Sequence, residues 1–361
     1  MTTDEKIALI SQVGEEIITN EDLKELLEQD QNLIAYDGFE PSGQIHIAQG
    51  ILRTINVNKM TKAGIKFKMW VADWHAYANN KMGGDLEKIK TVGKYFIEVW
   101  KACGMDLDNV EFHWASDMVK NPDYWKLVLQ ISKTNSLKRF IRTAEIMGRE
   151  ESMDLTAAQI IYPCMQCADI FMLGAKITQL GMDQRKVNML AREIGPQLGY
   201  WKPVVVSHHM LMGLTPPEKV TDEAADKTSR TIALKMSKSN PDSAIYMTDS
   251  YEDIKRKLNK AWAPEGISKE NPVLEYCKYI IFETSDSLTI DRPEKWGGPM
   301  KINSYDELVK KYEAKEVHPM DLKNAVAEKL NDLLEPVRKH FRENKEAAEL
   351  LKKVQSYQVT R

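Results

Sequence analysis

The chain has 361 residues, of which 43% are hydrophobic and 29% charged, with 18 glycines and 14 prolines. That balance describes an ordinary globular protein of about two domains and excludes collagenous, low-complexity and largely disordered classes. With 50 Lys and Arg against 53 Asp and Glu the net charge is −3, which argues against a nonspecific, charge-driven DNA coat but not against a local RNA-binding patch.

Four cysteines are too few for a disulfide scaffold and point to a reducing compartment. The start Met1-Thr-Thr-Asp-Glu-Lys6 has neither the basic start nor the apolar core of a secretory signal. No apolar run reaches the ~18 residues of a membrane span. The expectation is a cytoplasmic protein.

Residues 4–30 read as helical and polar, with Asn20-Glu21-Asp22 as the cap of a short helix over 21–29. Residues 1–30 are therefore expected to form a helical extension. Leu33-Ile-Ala-Tyr36 is a first strand ended by Asp37-Gly38, and Pro41-Ser-Gly43 precedes a helix from about 45 to 63. Residues 66–72 form a second strand, 85–103 a long amphipathic helix, and Val110-Glu-Phe-His-Trp114 a third strand. The stretch 117–173 is mostly helical, an insertion of the kind that closes a site or builds a subunit interface. Strands four and five follow at 176–181 and 202–207, and 214–234 reads as a loop. Beyond 250 come helices at about 251–261, 271–283, 304–314, 319–333 and 335–354, with no strand. The alternation predicts an α/β fold. A doubly wound parallel, Rossmann-like sheet occupies 31–250, with the insertion at 117–173, followed by a C-terminal all-helical domain over 251–361.

No Walker loop and no GxGxxG follows the first strand. A different nucleotide site is legible where strand one turns into helix one, at Gly38-Phe-Glu-Pro-Ser-Gly43-Gln-Ile-His46-Ile-Ala-Gln49. Ligands of open α/β sheets gather at the carboxyl ends of strands, and a helix start favours an anion. A histidine in the first helical turn can donate to a phosphate; a lone histidine in this setting is more often a satisfied structural residue, and that is the reading of His46 taken alone. Lys235-Met-Ser-Lys-Ser239 offers two lysines and two hydroxyls on a loop, which suits a polyphosphate as pyrophosphate departs. Tyr162, Gln166 and Asp169 recur at i, i+4 and i+7, so a helix presents them on one face. An apolar stripe has that spacing too, but Gln and Asp do not build one.

Lys133, Lys138, Arg139, Arg142 and Arg149, opposed only by Glu145, form a basic patch that reads as a solvated helix face or an RNA contact. Cys164-Met-Gln-Cys167 lacks a second pair for zinc, so packing is the better account. His208-His209 has no nearby carboxylates in sequence to complete a metal site and reads as a strand end near the nucleotide pocket. No metal site is expected.

In order along the chain stand Tyr36-Asp-Gly-Phe-Glu-Pro-Ser-Gly43, Ala72-Asp-Trp-His-Ala-Tyr77, Ile161-Tyr-Pro-Cys-Met-Gln166 and Gly181-Met-Asp-Gln-Arg-Lys186. Lys235–Ser239, Arg292-Pro-Glu-Lys-Trp-Gly-Gly298 and His318-Pro-Met-Asp-Leu-Lys-Asn324 follow. Jointly these segments resemble class I aminoacyl-tRNA synthetases, and among them the tyrosyl-tRNA synthetases of archaeal and eukaryotic type, over residues 15 to 342.

The resemblance implies a ligase that activates L-tyrosine with ATP, Mg²⁺ bridging the polyphosphate, and transfers it to the terminal adenosine of tRNA(Tyr), releasing AMP and pyrophosphate. It assigns Tyr36 and Asp169 to the substrate phenol hydroxyl and Tyr162, Gln166 and Gln184 to its α-amino end, with Asp73 and His75 lining the pocket. Gly38, Glu40 and Gly43 face the adenosine moiety. His46, Lys235 and Lys238 stabilise the phosphates, with Met236, Ser237 and Ser239 in the same ATP-binding loop. Arg142 and Lys186 match positions near the acceptor stem, and Trp296, His318 and Asp321 match anticodon contacts, with Trp296 as a partly buried core residue the alternative. A homodimer with 117–173 at its interface is implied, and 251–361 becomes an anticodon-binding domain. The usual His-x-Gly-His reads His46-Ile-Ala48-Gln49 here, and Gln49 can donate an amide hydrogen but carries no charge, so its share of catalysis is open. A tryptophanyl-tRNA synthetase of the same fold and a non-catalytic RNA-binding paralogue are the competing readings.

Overall fold

The computed structural model describes residues 1–147, 154–217, 230, 234–236 and 241–357. A six-stranded sheet carries the N-terminal two-thirds, in the order β1-β6-β5-β2-β3-β4. Its strands are β1 (Gly14–Ile18), β2 (Ile34–Phe39), β3 (Lys66–Val71), β4 (Val110–Trp114), β5 (Ile177–Gly181) and β6 (Val204–His208). β2 to β6 are parallel, as expected for crossover connections through helices. From β2 the chain winds outward to β3 and β4, then returns to lay β5 and β6 on the other side, so the order reverses between β2 and β5.

β1 corrects the expected helical extension. Residues 14–18 form a strand antiparallel to β6, flanked by helices Thr3–Ser11 and Asn20–Gln29. Gly-Glu-Glu-Ile-Ile is short and half-buried throughout; the open edge of β6, not its own pattern, makes it a strand. Thr19, one residue before the expected cap, accepts from the Asp22 N–H at 3.0 Å.

The helix after β2 also begins later than its pattern suggests. Residues 45–47 run extended beside 245–247, with Ile47 N donating to Ile245 O and Met247 N to Ile45 O. Helical structure starts as a π-turn, Ala48–Leu52, and continues as Arg53–Lys62. His46 therefore lies just ahead of the first turn, its carbonyl accepting from Gln49 N and Gly50 N at 2.9 Å each.

Both faces of the sheet are covered. Phe67, Met69 and Val71 of β3 face one apolar core, while Tyr36 and Trp70 face a second formed with helices Pro122–Ser132 and Ala157–Met172 of the insertion. Helix Leu86–Ala102 is capped by Asp85, which accepts from Glu87 N and Lys88 N, and buries Ile89, Val92, Phe96 and Val99 against the first face. The core continues into the C-terminal helices, where Tyr95 and Phe341 bring their rings within 5.4 Å and His340 pairs with Glu98 at 2.8 Å.

The C-terminal part is helical with one addition, an antiparallel pair of β7 (Leu288–Ile290) and β8 (Met300–Ile302). Each has three residues, too few to show a period. The two helices expected at 319–333 and 335–354 divide differently: Pro319–Glu343 runs unbroken through Pro336, and Lys345–Ser356 follows. Buried Leu330, Leu334, Val337 and Phe341 keep one stripe across the proline, and that packing outweighs the hydrogen bond Pro336 forfeits.

Candidate active site

The crevice where the strand order reverses lies at the carboxyl ends of β2 and β5, where open α/β sheets bind ligands. A cleft of about 1070 Å³ opens there. Among the expected residues, Tyr36, Gly38, Glu40, His46, Gln49 and His75 line it from the first half of the sheet. Tyr162, Gln166, Asp169, Gln184, Lys235 and Met236 line it from the second.

One end of the cleft is built on helix Ala157–Met172, whose start Thr156 and Gln159 close as a capping box. Its inward face carries Tyr162, Gln166 and Asp169, all buried. Asp169 is held from two sides: His75 Nε2 lies 2.9 Å from Oδ2, and the Tyr124 hydroxyl donates to Oδ1 at 3.0 Å. Burial opposes charge on His75, but the Asp169 carboxylate more than offsets it, so its pKa stands above the ordinary histidine value. Tyr36, also buried, has its phenol pKa raised well above the usual value by burial and then by Asp169. Both phenols therefore keep their protons as donors.

Glu40 forms a second acidic point. It accepts from the Tyr162 hydroxyl at 2.8 Å and from Asn79 Nδ2 at 3.0 and 3.1 Å, with Lys81 Nζ at 3.5 Å. Between the two carboxylates, Gln166 Nε2 donates to Gln184 Oε1 at 3.2 Å, and Gln184 Nε2 to Ile146 O at 3.0 Å. Such a pocket suits a zwitterion with a hydroxyl on its side chain: carboxylate and amide oxygens accept from an ammonium, while Asp169 and Tyr36 can accept from and donate to one hydroxyl.

The other end of the cleft is charged in pairs. Lys235 Nζ lies 2.8 Å from Asp183 Oδ2, which raises the lysine pKa and, against burial, lowers that of Asp183. Arg53 Nε lies 3.0 Å from Asp37 Oδ2; burial pushes the Asp37 carboxyl up to about 7 even though Arg53 pulls it down. Burial and Arg53 push His208 down to about 3, so it is a neutral imidazole at the end of β6. Gln49 lines the cleft, and its backbone carbonyl accepts from Trp100 Nε1 at 2.8 Å.

Two expected residues sit apart. Asp73 is buried behind the wall, where Oδ1 accepts from Trp74 N at 3.0 Å and Ser116 N at 2.9 Å, fixing the turn that presents His75. Gly43 occupies a left-handed turn at φ 71° outside the cleft lining, a conformation that disfavours a side chain. Ser237, Lys238, Ser239 and Arg149 lie outside the described residues. Sequence reasoning missed Tyr124, Asp37 and Arg53. Tyr124 has the spacing of a core aromatic, and only the packing of its helix against 157–172 shows where its hydroxyl ends.

Cys164 and Cys167 are buried, and burial pushes Cys164 up to about 12 and raises Cys167 well above the usual thiol value, so neither is a reactive thiolate. Among the described residues no group of three or more His, Cys, Asp or Glu could hold a metal ion, and no helix is long and apolar enough to cross a membrane. Arg142 and Lys186 are exposed. Trp296 is 66% exposed and so is not a core residue. Its loop is tied to the start of helix 319–343, since Arg292 donates to Gly298 O at 2.7 Å and to Glu316 O at 2.9 Å. His318 caps that helix, Nδ1 accepting from Met320 N at 3.2 Å.

The family model of the class I tRNA synthetases for tryptophan and tyrosine matches residues 28–335. The chain belongs to that family. Relatives point to one branch of the class I synthetases. Cytoplasmic tyrosine–tRNA ligase 1 of Arabidopsis thaliana is 49% identical over 99% of this chain and 90% of its own. The tyrosyl-tRNA synthetase of Pyrococcus horikoshii, solved with L-tyrosine, is 40% identical with a TM-score of 0.91 over 98% of this chain and 100% of its own. That of Leishmania major, solved with tyrosinol, is 44% identical with a TM-score of 0.87 over 99% of this chain, which spans only 61% of the Leishmania chain. As a class I synthetase the chain takes ATP as a substrate.

Proposed function

We propose that this synthetase is a tyrosine–tRNA ligase. The observation that carries the reading is Asp169 beside Tyr36 at one end of the cleft, its two oxygens tied to His75 and Tyr124. A phenol hydroxyl entering there replaces hydration with a buried acceptor and a buried donor. Phenylalanine would leave both unpaired, and an indole has no oxygen to accept from Tyr36. Glu40, Gln166 and Gln184 take the α-ammonium, leaving the substrate carboxylate toward His46 and Lys235.

In the first step a carboxylate oxygen attacks the α-phosphorus of ATP and the bond to the β,γ-diphosphate breaks, giving tyrosyl-adenylate and pyrophosphate. No protein nucleophile is needed: alignment and stabilisation of phosphate charge supply the rate. His46, Lys235 and Lys238 provide donors and positive charge, with Gly38 on the adenosine side. Mg²⁺ enters here with the ATP substrate. In the second step a ribose hydroxyl of the terminal adenosine attacks the tyrosyl carbonyl and AMP leaves.

Exposed Arg142 and Lys186 suit the acceptor stem, and Trp296, His318 and Asp321 an unpaired anticodon, where an aromatic stacks on a base and a carboxylate accepts from guanine. Residues 31–250 then act as the catalytic domain and 251–361 as the anticodon-binding one. A homodimer is supported by large apolar side chains left exposed on mutually packed helices of the insertion: Trp125, Leu129, Leu137 and Ile161. The cytoplasmic name of the Arabidopsis relative supports that location.

ATP–pyrophosphate exchange with tyrosine, tryptophan and phenylalanine in parallel tests the reading. Exchange with tyrosine alone is expected. Tryptophan-dependent exchange would overturn the substrate, and none with any of the three would favour a non-catalytic RNA-binding paralogue.

A further inference from the structure

Lys235 is presented to the cleft by a short strap of chain, residues 209–214, that follows β6. Met212 and Lys235 form an antiparallel bridge, Met236 N donates to Leu211 O at 2.8 Å, and Gly213 N donates to Leu234 O at 3.0 Å. The height of the strap therefore sets the height of the Lys235 backbone, and with it the reach of Nζ toward Asp183.

The strap is gripped on its other side by the segment 270–276. Glu275 Oε2 accepts from Met212 N at 2.9 Å and lies 3.1 Å from His209 Nε2, while the Tyr276 hydroxyl donates to Met212 O at 3.2 Å. His209 Nδ1 is 3.0 Å from Glu15 Oε2 on β1, and its ring stacks on Tyr279 at 4.2 Å. A second glutamate of the same segment, Glu270, takes Arg230, with Nη2 to Oε2 at 2.6 Å. One carboxylate oxygen thus fastens both the main chain of the strap and a side chain that anchors it to the sheet edge. None of these groups touches the part of the cleft assigned to tyrosine.

We propose that Glu275 is a positioning residue for Lys235, acting through the strap 209–214, so that the C-terminal helices set the ATP-binding lysine. The proposal rests on the adenylate-forming reading above. A carboxylate that accepts from a main-chain N–H and from a histidine cannot be removed without releasing both. The loss is then felt where the strap meets Lys235, and not at Asp169 or Glu40.

The test is steady-state pyrophosphate exchange by Glu275→Ala and Glu275→Gln, with ATP and tyrosine varied separately and thermal unfolding measured on the same samples. Glu275→Ala is expected to lower kcat/KM for ATP about tenfold with KM for tyrosine within about twofold of the parent. Glu275→Gln keeps an acceptor for Met212 N in nearly the same volume and is expected to recover part of that loss. A folded Glu275→Ala protein with the parent's kcat/KM for ATP would overturn the proposal, as would equal losses for ATP and tyrosine. If Glu275→Ala does not fold, the near-isosteric Glu275→Gln decides by the same ATP-against-tyrosine split. An inert parent protein would strike at the ligase reading, whereas an active parent and an unaffected variant would sink only the role of Glu275.

Discussion

At the scale of single residues, the end of the cleft proposed for tyrosine depends on one carboxylate whose neighbours hold it in place. Asp169 is fully buried, and a buried charge is tolerated only with strong partners. Removing the Tyr124 hydroxyl with Tyr124→Phe takes away one of them, and hydrogen bonds to charged groups are worth about 1.5–3 kcal/mol. KM for tyrosine in pyrophosphate exchange should rise about tenfold or more while KM for ATP stays near the parent value. At the end proposed for ATP, His46→Ala should slow adenylate formation far more than Gln49→Ala. The backbone carbonyl of Gln49, which anchors Trp100, survives either change, and its amide brings no charge to a departing phosphate. Equal losses in pre-steady-state adenylate formation would contradict that order.

At the scale of elements, helix Leu86–Ala102 joins the sheet to the C-terminal helices, and Gly93 sets how closely it lies on the sheet. A Cβ at position 93 would stand 2.8 Å from the Trp114 ring and 2.9 Å from Val71 Cγ1. Val71 is fully buried and Trp114 packs half-buried against the same core, so neither has much room to yield. Gly93→Ala should therefore destabilise by about 1–3 kcal/mol despite the better helix propensity of alanine, read as a lower urea midpoint with unchanged slope. Strands β2 to β6 and most helices were legible because their apolar faces repeat over five residues or more. β1 and the β7–β8 pair were not, being short segments recruited by an open edge or by each other. The late helix start at His46 had a similar cause, since the chain at 245–247 claims its backbone.

At the scale of the molecule, the sheet edge, the strap and the C-terminal helices meet at His209. Glu15 and Glu275 more than offset burial and lift its pKa to about 9. Tyr279, stacked on it, is raised by burial and does not titrate in this range; neighbouring His208 stays neutral. Because the folded value lies above the unfolded one of about 6.5, the stabilisation from His209 is complete below that pH and disappears as pH rises through about 9. The shift bounds it at ~3 kcal/mol. The stability gap between the parent and His209→Gln in urea unfolding should thus be widest just below pH ~6.5, shrink through neutrality and be nearly closed at pH ~10. For the assembly, Leu129→Glu puts a charge on an apolar face that is 63% exposed at that residue. Under the proposed homodimer it should shift sedimentation from dimer to monomer with the fold intact.

The sequence by itself determined the parallel α/β architecture, the crevice at the strand ends and the spacing that aligns Tyr162, Gln166 and Asp169. These follow from local periodicity and from motifs a few residues long, which do not depend on what the rest of the chain does. Only the tertiary structure decided that Tyr124 and His75 share Asp169, that Arg53 faces Asp37, and that Glu275 reaches Met212 across sixty-three residues of chain. Such contacts join side chains on separate elements, and their geometry is set by helix packing and strand order, which leave no periodic trace in the residues that make them.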